Sequence, residues 1–243
     1  MKTTLLIFIS LISLSSFAKE APSHQIWDDL LQKNVSETGI VDYKGFLQDS
    51  VKLNEYLALL STNAPSTGWS KNEKMAFWIN AYNAFTVQLI CRNYPVKSIK
   101  DIGGSVYKVN TTWDIKFIKI GEETLDLNNI EHQKLRKKYK DARIHFALVC
   151  ASKSCPILMN HAYTADKLEE QFSSQAKLFL GDLFRNDLSD INNPKLSKLF
   201  DWYGMDFKSK KMTKIQFINQ FLTVKIPESA KLDYLDYDWN LNE

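Results

Sequence analysis

The sequence predicts an α+β fold, in which one domain over residues 19–243 carries added helices at its N-terminus. Three observations predict it. Apolar residues recur at helical spacing through most of residues 25–92, short alternating runs follow at 105–127, and helical patterns return after residue 156. Helices grouped apart from short strands are typical of α+β domains, and no internal repeat or linker divides the chain.

Residues 1–18 have the three parts of a secretory signal peptide. Lys2 provides a basic start, residues 5–14 form an apolar run, and small residues precede a cleavage position after Ala18. The run is too short to cross a bilayer comfortably, and no later segment resembles a membrane span. We therefore expect a periplasmic or secreted protein with no transmembrane span.

The first part of the domain is predicted to be helical. Two helical patterns fill residues 25–62. Ser70 and Glu73 then match the capping box that starts a helix, and residues 93–95, Asn-Tyr-Pro, are a stop signal. These signals predict a long helix over about residues 73–92. Its apolar residues lie nearly all round, which places it at the centre of the domain.

The remaining elements are predicted from shorter patterns. In chain order they are strands at 106–109, 114–120 and 124–127, a helix at 130–139, a strand at 144–149, a helix at 164–184, a strand at 196–202, a helix at 213–222 and an extended tail at 232–239.

Two cysteines follow the predicted strand at 144–149. Ser154-Cys155-Pro156 resembles a helix start with proline in the first position, where the helix dipole would favour the thiolate of Cys155. Cys150 is five positions away and close enough to form a disulfide with Cys155 across a tight turn, which an oxidising compartment would favour. Both a reactive thiol and a disulfide agree with this segment.

Asn80 and Asn83 lie three positions apart on one face of the predicted central helix. A buried asparagine needs hydrogen-bond partners for its amide. One interpretation is structural, with both amides bracing neighbouring loops. The other is catalytic, with one amide orienting an imidazole or donating to an oxyanion.

Glu131, His132 and His145 are further candidate site residues. Glu131 suits a helix start on dipole grounds alone, whereas His132 at that position is favoured as a neutral imidazole able to accept a proton from a thiol. His145 sits in an apolar segment ten residues before Cys155 and must find a partner there. Each histidine can be structural or a catalytic base.

Several other functions are not indicated. Lys and Arg total 31 against 28 Asp and Glu, so the charge balance implies no nucleic-acid partner. The two cysteines and the histidines lack the paired spacing of metal ligands, and we expect no metal. No phosphate loop, nucleophile elbow or dinucleotide fingerprint is present, and we expect no cofactor.

Seven segments in order carry a family resemblance: Trp27 with Leu30-Leu31, Gly39-Ile-Val-Asp-Tyr43, Phe77-Trp-Ile-Asn-Ala-Tyr-Asn-Ala84, Leu127-Asn-Asn-Ile-Glu-His132, Arg143 to Pro156, Phe200-Asp-Trp-Tyr203 and Tyr237-Asp-Trp239. They resemble the domain-of-unknown-function 547 family, DUF547, over nearly all of residues 19–243. The resemblance implies an exported protein and little settled biochemistry.

The chain is also similar, more weakly, to papain-like and transglutaminase-like hydrolases, in which Cys and His are joined by Asn, Asp or Glu. This similarity implies a papain-like or transglutaminase-like core. The order His132, His145, Cys155 departs from that of those hydrolases, in which the cysteine comes first, so a circular permutation or a different ancestry would be needed.

Together these features lead us to expect an exported cysteine hydrolase or acyl-transferase that acts on an amide or ester bond of a peptide or small molecule. Cys155 would attack the carbonyl carbon, and its N–H with an asparagine amide would stabilise the oxyanion. His132, or His145 as second choice, would accept the thiol proton, and Glu131 or one asparagine would orient the imidazole. The alternative is a non-catalytic exported binding or scaffold module with a structural Cys150–Cys155 disulfide.

The signal-peptide prediction can be tested directly. Edman sequencing of the protein recovered from a bacterial periplasm or medium should begin at Lys19, because the small residues before it suit signal peptidase. A membrane-retained protein that still begins with Met1 would contradict the prediction.

Overall fold

The computed structural model describes residues 20–103 and 111–243. The predicted signal peptide and the predicted strand at 106–109 lie outside these residues. The helices are α1 Gln25–Asn34, α2 Tyr43–Gln48, α3 Ser50–Thr62, α4 Lys71–Asn93, α5 Lys137–Tyr139, α6 Leu168–Gly181, α7 Leu199–Trp202 and α8 Lys214–Asn219. The strands are β1 Ile118–Ile120, β2 Glu123–Leu125, β3 Lys195–Leu196 and β4 Asp233–Tyr234. This mixture of helices with small sheets confirms the α+β class.

The predicted central helix is α4, and it forms the middle of the core. Its start is the predicted capping box, in which the Ser70 hydroxyl accepts from the Glu73 N–H and the Ser70 N–H donates to the Glu73 carboxylate. Every residue from Met75 to Ile90 is buried. A helix that is apolar nearly all round must be covered on every side, and the other elements are arranged around it.

The three N-terminal helices cover one side of α4. Trp27 on α1 stacks on Tyr56 of α3 with ring centroids 5.8 Å apart, and Phe46 of α2 packs on the same indole at 5.8 Å. The three aromatic rings are almost fully buried, so these helices belong to the same hydrophobic core as α4.

The sheets are small. Strands β1 and β2 pair antiparallel, with Ile118 opposite Leu125 and Ile120 opposite Glu123. Strands β3 and β4 pair parallel and join the C-terminal tail to residues near α7. No helix in the described ranges is both long and apolar enough to cross a membrane.

A second hydrophobic cluster joins α6, α7 and α8 around Phe146, whose ring lies 5.3 Å from that of Phe179 and 6.0 Å from that of Phe200. Ile144, two residues earlier, belongs to the main core instead. His145 therefore lies where the two clusters meet.

The predicted strand at 144–149 is wrong. Residues Ala142–Phe146 form a 3₁₀-helix, and the Asp141 carboxylate accepts from the Arg143 N–H at its start. Ile144, His145 and Phe146 are all buried, so the segment lacks the alternation of a strand with one exposed face. A short, continuously buried apolar run does not distinguish strand from helix.

The predicted helix start at Pro156 is also wrong, because the next helix is α6, which begins at Leu168. The cysteine segment instead bonds to the C-terminal tail: Lys153 N–H donates to the Asn240 carbonyl at 2.9 Å and Ser154 N–H to the Asp238 carbonyl at 3.2 Å. Cys155 is therefore not at the N-terminus of a described helix, and the predicted dipole effect on its thiolate has no helix to produce it there.

Other predicted elements have different bounds or type. The helix expected at 130–139 is a π-helix over Asn129–Arg136 followed by α5, and the strand expected at 196–202 is the two-residue β3 followed by α7. The expected helices at 164–184 and 213–222 are the shorter α6 and α8. The ends of helices and strands are the least sharply defined part of a sequence pattern.

Asn80 and Asn83 of α4 each hold a neighbouring loop by two hydrogen bonds. The Asn83 amide donates to the Ala147 carbonyl at 2.9 Å and accepts from the Val149 N–H at 3.0 Å. The Asn80 amide makes the same pair of bonds with the backbone of Tyr163, at 2.8 and 2.9 Å. Both amides thus have the bracing contacts of the structural interpretation.

Replacing Asn83 with leucine should lower the free energy of unfolding by roughly 1–3 kcal/mol for each backbone group left without a partner. Asn93→Leu on the exposed end of the same helix is the matched control and should change stability far less. Urea denaturation followed by circular dichroism measures both. Equal stability of the Asn83 variant and the original protein would contradict the bracing role.

Candidate functional site

The cysteine segment borders a cavity of about 210 Å³. Its lining consists mostly of aromatic side chains with a few polar groups: Tyr82, Trp113, Asn128, Glu131, His145, Leu148, Cys150, Cys155, Pro156, Leu199, Trp202, Tyr203, Tyr237 and Trp239. Of the predicted site residues, Cys155, His145 and Glu131 are thus brought together here. A concave, mostly apolar cavity with a few convergent polar groups is the usual form of a small-molecule site.

Cys150 and Cys155 are joined by a disulfide, with Cα atoms 6.1 Å apart. The intervening Ala151 adopts φ +59°, a left-handed conformation that helps the loop turn back on itself. Cys155 is 2% exposed, whereas Cys150 is half-buried. A sulfur in a disulfide is not a nucleophile, so Cys155 can attack a carbonyl only after the bridge is reduced.

The Cys155 sulfur accepts two hydrogen bonds. The Cys150 N–H donates to it at 2.9 Å and the Tyr237 hydroxyl at 3.2 Å. The Ser152 hydroxyl in turn donates to the Tyr237 oxygen. Donors that point at a sulfur favour its thiolate form once it is released from a disulfide.

The segment is held in place by Arg185 as well as by the C-terminal tail. The Arg185 guanidinium donates to the Cys155 carbonyl at 2.5 Å and to the Lys153 carbonyl at 2.8 Å. The Asp238 N–H donates to the Ser154 hydroxyl at 2.9 Å. These contacts come from residues far along the chain, and they fix the backbone that carries the sulfur.

His145 is held by an aspartate that sequence reasoning did not identify. Its Nε2 lies 2.8 Å from an Asp206 carboxylate oxygen, and its ring stacks on Tyr203 with centroids 3.9 Å apart. Arg136 also donates to Asp206 through two guanidinium nitrogens. Partial burial alone would raise the pKa of Asp206, but the hydrogen bonds from His145 and Arg136 hold that pKa well below its usual range.

Glu131 lines the cavity with a side chain that is 8% exposed. Its charge acts on the surrounding tyrosines. Burial, and after it the Glu131 charge, raises the pKa of Tyr82 and of Tyr203. Glu131 does not orient the His145 ring, because the carboxylate that bonds to that ring belongs to Asp206.

His132 lies outside this cavity. It lines a larger cavity of about 810 Å³, together with a basic group of side chains that includes Lys71, Lys137 and Lys140. Its Nδ1 is buried without a hydrogen bond from any described residue, 3.9 Å from a Glu131 oxygen. The structure therefore brings His145, and not His132, to the cavity that Cys155 lines.

Asn80 and Asn83 do not line the cavity either, and their amide groups already bond to loop backbone. Among the described residues, no group of three or more His, Cys, Asp or Glu side chains could hold a metal ion. The side chains that line the aromatic cavity offer a sulfur, an imidazole, a carboxylate, an amide and aromatic rings.

Sequence reasoning missed the aromatic wall and Asp206. Trp202, Tyr203, Tyr237 and Trp239 lie in two of the segments that carry the family resemblance, so the resemblance already contained a signal for them. Asp206 lies 61 residues from His145 in sequence. It stands in no motif, and only the fold brings it to the imidazole.

Comparison with known proteins gives one match. Residues 66–180 match the model of a family described as "Protein of unknown function, DUF547". Neither the curated proteins nor the solved structures include a match. The matched range contains Glu131, His145 and both cysteines of the bridge, whereas Asp206 lies beyond it. Over residues 66–180 the chain therefore matches DUF547, the family that its sequence motifs resemble.

Proposed function

We propose that this protein, once its Cys150–Cys155 bridge is reduced, is a cysteine hydrolase or acyl-transferase that acts on an amide or ester bond. One observation carries the proposal. Cys155 and His145 line the same cavity, and Asp206 holds the His145 ring. A nucleophile, a base and a group that orients the base are the three parts of a catalytic triad, whatever their order in the chain.

His145 is the base in this proposal, and Asp206 takes the orienting role first considered for Glu131 or an asparagine. Because the Asp206 carboxylate accepts from Nε2–H, the neutral ring carries its lone pair on Nδ1. That nitrogen is then the one that accepts the proton of the Cys155 thiol.

The proposed reaction begins with reduction. A dithiol reductant supplies two electrons and two protons, and the bridge becomes two thiols while the reductant becomes a disulfide. Cys155 passes its proton to His145 and attacks the carbonyl carbon. The amine or alcohol leaves with that proton, and a thioester remains. Water or an amine then attacks the thioester, and the Cys155 thiolate is released.

Export and a papain-like or transglutaminase-like core belong to the same proposal. The predicted signal peptide supports export, and an exported protein would meet the oxidising conditions that maintain a disulfide. The weaker sequence similarity to papain-like hydrolases supports the core. A local reductant would then decide when the thiol is active.

A second candidate is a non-catalytic exported binding or scaffold module. The disulfide itself favours this candidate, because a permanent bridge would leave Cys155 without a thiol. The aromatic cavity would then bind a ligand without changing it. Chemical access to the Cys155 thiol distinguishes the two candidates.

The Cys150→Ser variant should leave Cys155 free and readily alkylated by iodoacetamide at neutral pH. Two donors to its sulfur and a nearby imidazole should hold its pKa below the roughly 8.5 of a free cysteine. In the original protein, alkylation of Cys155 should require prior treatment with dithiothreitol. Cys91 should react slowly in both, because burial raises its pKa to about 12. Mass spectrometry of the labelled peptides gives the rate at each cysteine.

Histidine variants of the Cys150→Ser protein show which imidazole controls the alkylation rate of Cys155. His145→Gln should slow Cys155 alkylation about tenfold or more, whereas His132→Gln should leave it unchanged. An inert Cys155 in the folded Cys150→Ser variant would rule out the enzyme and favour the binding module. A rate that depends on His132 alone would show that the base is misassigned.

The low pKa of Asp206 should appear in the pH dependence of stability. A carboxyl whose pKa is lowered by folding stabilises the fold above its unfolded pKa of about 4, and this contribution is lost as the pH falls through its folded pKa. Asp206→Asn should therefore lower the urea midpoint of unfolding at pH 7. The gap between the midpoints of the variant and the original protein should shrink as the pH falls. Asp236→Asn, at an exposed position, is the control. A gap between the two urea midpoints that stays constant across pH would contradict the ionic role of Asp206.

A further inference from the structure

The cavity beside the disulfide has walls of aromatic rings. The Tyr237 ring lies 4.8 Å from that of Trp202 and 4.6 Å from that of Trp239, and Trp113 stands 5.7 Å from Trp239. Tyr82 and Tyr203 complete the lining on the side of Glu131. Several ring faces and edges therefore meet within one space of about 210 Å³.

Glu131 places a carboxylate in this aromatic space. Among the described residues, no Lys or Arg forms an ion pair with it, and none lines the cavity. The nearest chargeable nitrogen is His132 Nδ1 at 3.9 Å, beyond hydrogen-bond distance. The Tyr203 side chain makes a hydrogen bond with this carboxylate, but a phenol carries no positive charge to balance that of a buried carboxylate, so the cavity suits a cationic ligand.

The neighbouring cations are already engaged. Arg136 lies 5.1 Å from the Tyr203 ring centroid, but its guanidinium pairs with Asp206. Lys100 lies 4.7 Å from the Trp239 ring centroid without lining the cavity. Lys100 shows that this indole interacts with an ammonium group on one of its faces.

We propose that the cavity binds a small organic ammonium ion, with its charge against Glu131 and its carbon surface against the Trp and Tyr rings. Aromatic faces attract cations through the ring quadrupole, and cages of such rings are used to recognise ammonium groups. A neutral ligand of the same shape would fill the space but leave the carboxylate without an opposite charge. The small volume admits an ammonium head group and not a bulky ligand.

This inference deepens the proposed function by assigning an ammonium group to the substrate, and it rests on that function for this assignment only. Binding of the cation itself requires neither a thiol nor catalysis. It can therefore be measured on the bridged protein, in which the proposed chemistry is switched off.

The first experiment compares choline with 3,3-dimethylbutan-1-ol, its neutral carbon isostere. Each is titrated into the bridged protein by isothermal calorimetry, with tryptophan fluorescence as a second readout. Choline should bind about tenfold or more tightly than the alcohol, because only the cation satisfies Glu131 and the ring faces. Equal affinities, or no binding of choline at millimolar concentrations, would overturn the proposal.

Variants then test the two parts of the site. Glu131→Gln keeps the shape of the side chain and should weaken choline about tenfold, while binding of the alcohol stays the same. Trp202→Leu should also weaken choline, and because Trp202 is 47% exposed this variant should fold even where a core variant fails. Glu170→Gln, at an exposed position on α6, is the matched control and should bind choline normally.

The outcomes separate this inference from the proposed function. Normal choline binding by both the Glu131 and the Trp202 variants would overturn the ammonium site whatever the thiol does. Choline binding that depends on these residues, in a protein whose Cys155 stays inert, would support the site and remove the enzyme. A reactive Cys155 in a protein that does not bind choline would support the enzyme and remove the ammonium site.

Discussion

Burial of α4 from Met75 to Ile90 is the constraint on which the rest of the structure depends. A buried helix leaves no polar side chain free to meet water, so each polar group on it must find a partner in the elements that cover it. Asn83 meets this requirement by holding the backbone of Ala147 and Val149. Those residues lie between His145 and Cys150, so the same two hydrogen bonds position both the imidazole and the disulfide.

Asp206 links the aromatic cavity to the larger basic cavity. Its carboxylate bonds to His145, which lines the aromatic cavity, while Asp206 and Arg136 line the basic cavity on the other side. The His145 imidazole is thereby linked through Asp206 to the Arg136 guanidinium. Because Asp206 is itself held by the Arg136 guanidinium, it fixes the orientation of the buried His145 ring.

The parts of the fold that the sequence predicts are those with local causes. The capping box at Ser70 and the apolar surface of α4 depend on neighbouring residues, and the predicted central helix is present within about two residues of its expected bounds. The segment at 144–149 forms no strand and no helix starts at Pro156, because the Val149 N–H bonds to Asn83 and the N–H groups of residues 153 and 154 bond to the C-terminal tail. The spacing of apolar residues along the chain carries no information about such distant hydrogen-bond partners.

The residues of the candidate site also divide into those with a local signal in the sequence and those without one. Cys155, His145 and Glu131 stand out in the sequence because polar groups in apolar segments need a reason, and the structure brings the three to one cavity. The sequence could not rank His145 above His132, because that choice depends on which cavity each side chain reaches. Asp206 has no local signal at all, since its role comes only from a contact across 61 positions.

The central claim is that His145, oriented by Asp206, activates Cys155. The most direct measurement is an ultraviolet titration of thiolate absorbance in a protein in which Cys150 and Cys91 are both serine, so that Cys155 is the only thiol. The account predicts a thiol pKa below the roughly 8.5 of a free cysteine, which rises when His145 is replaced by glutamine. A pKa at or above the free value, unchanged by that replacement, would contradict it.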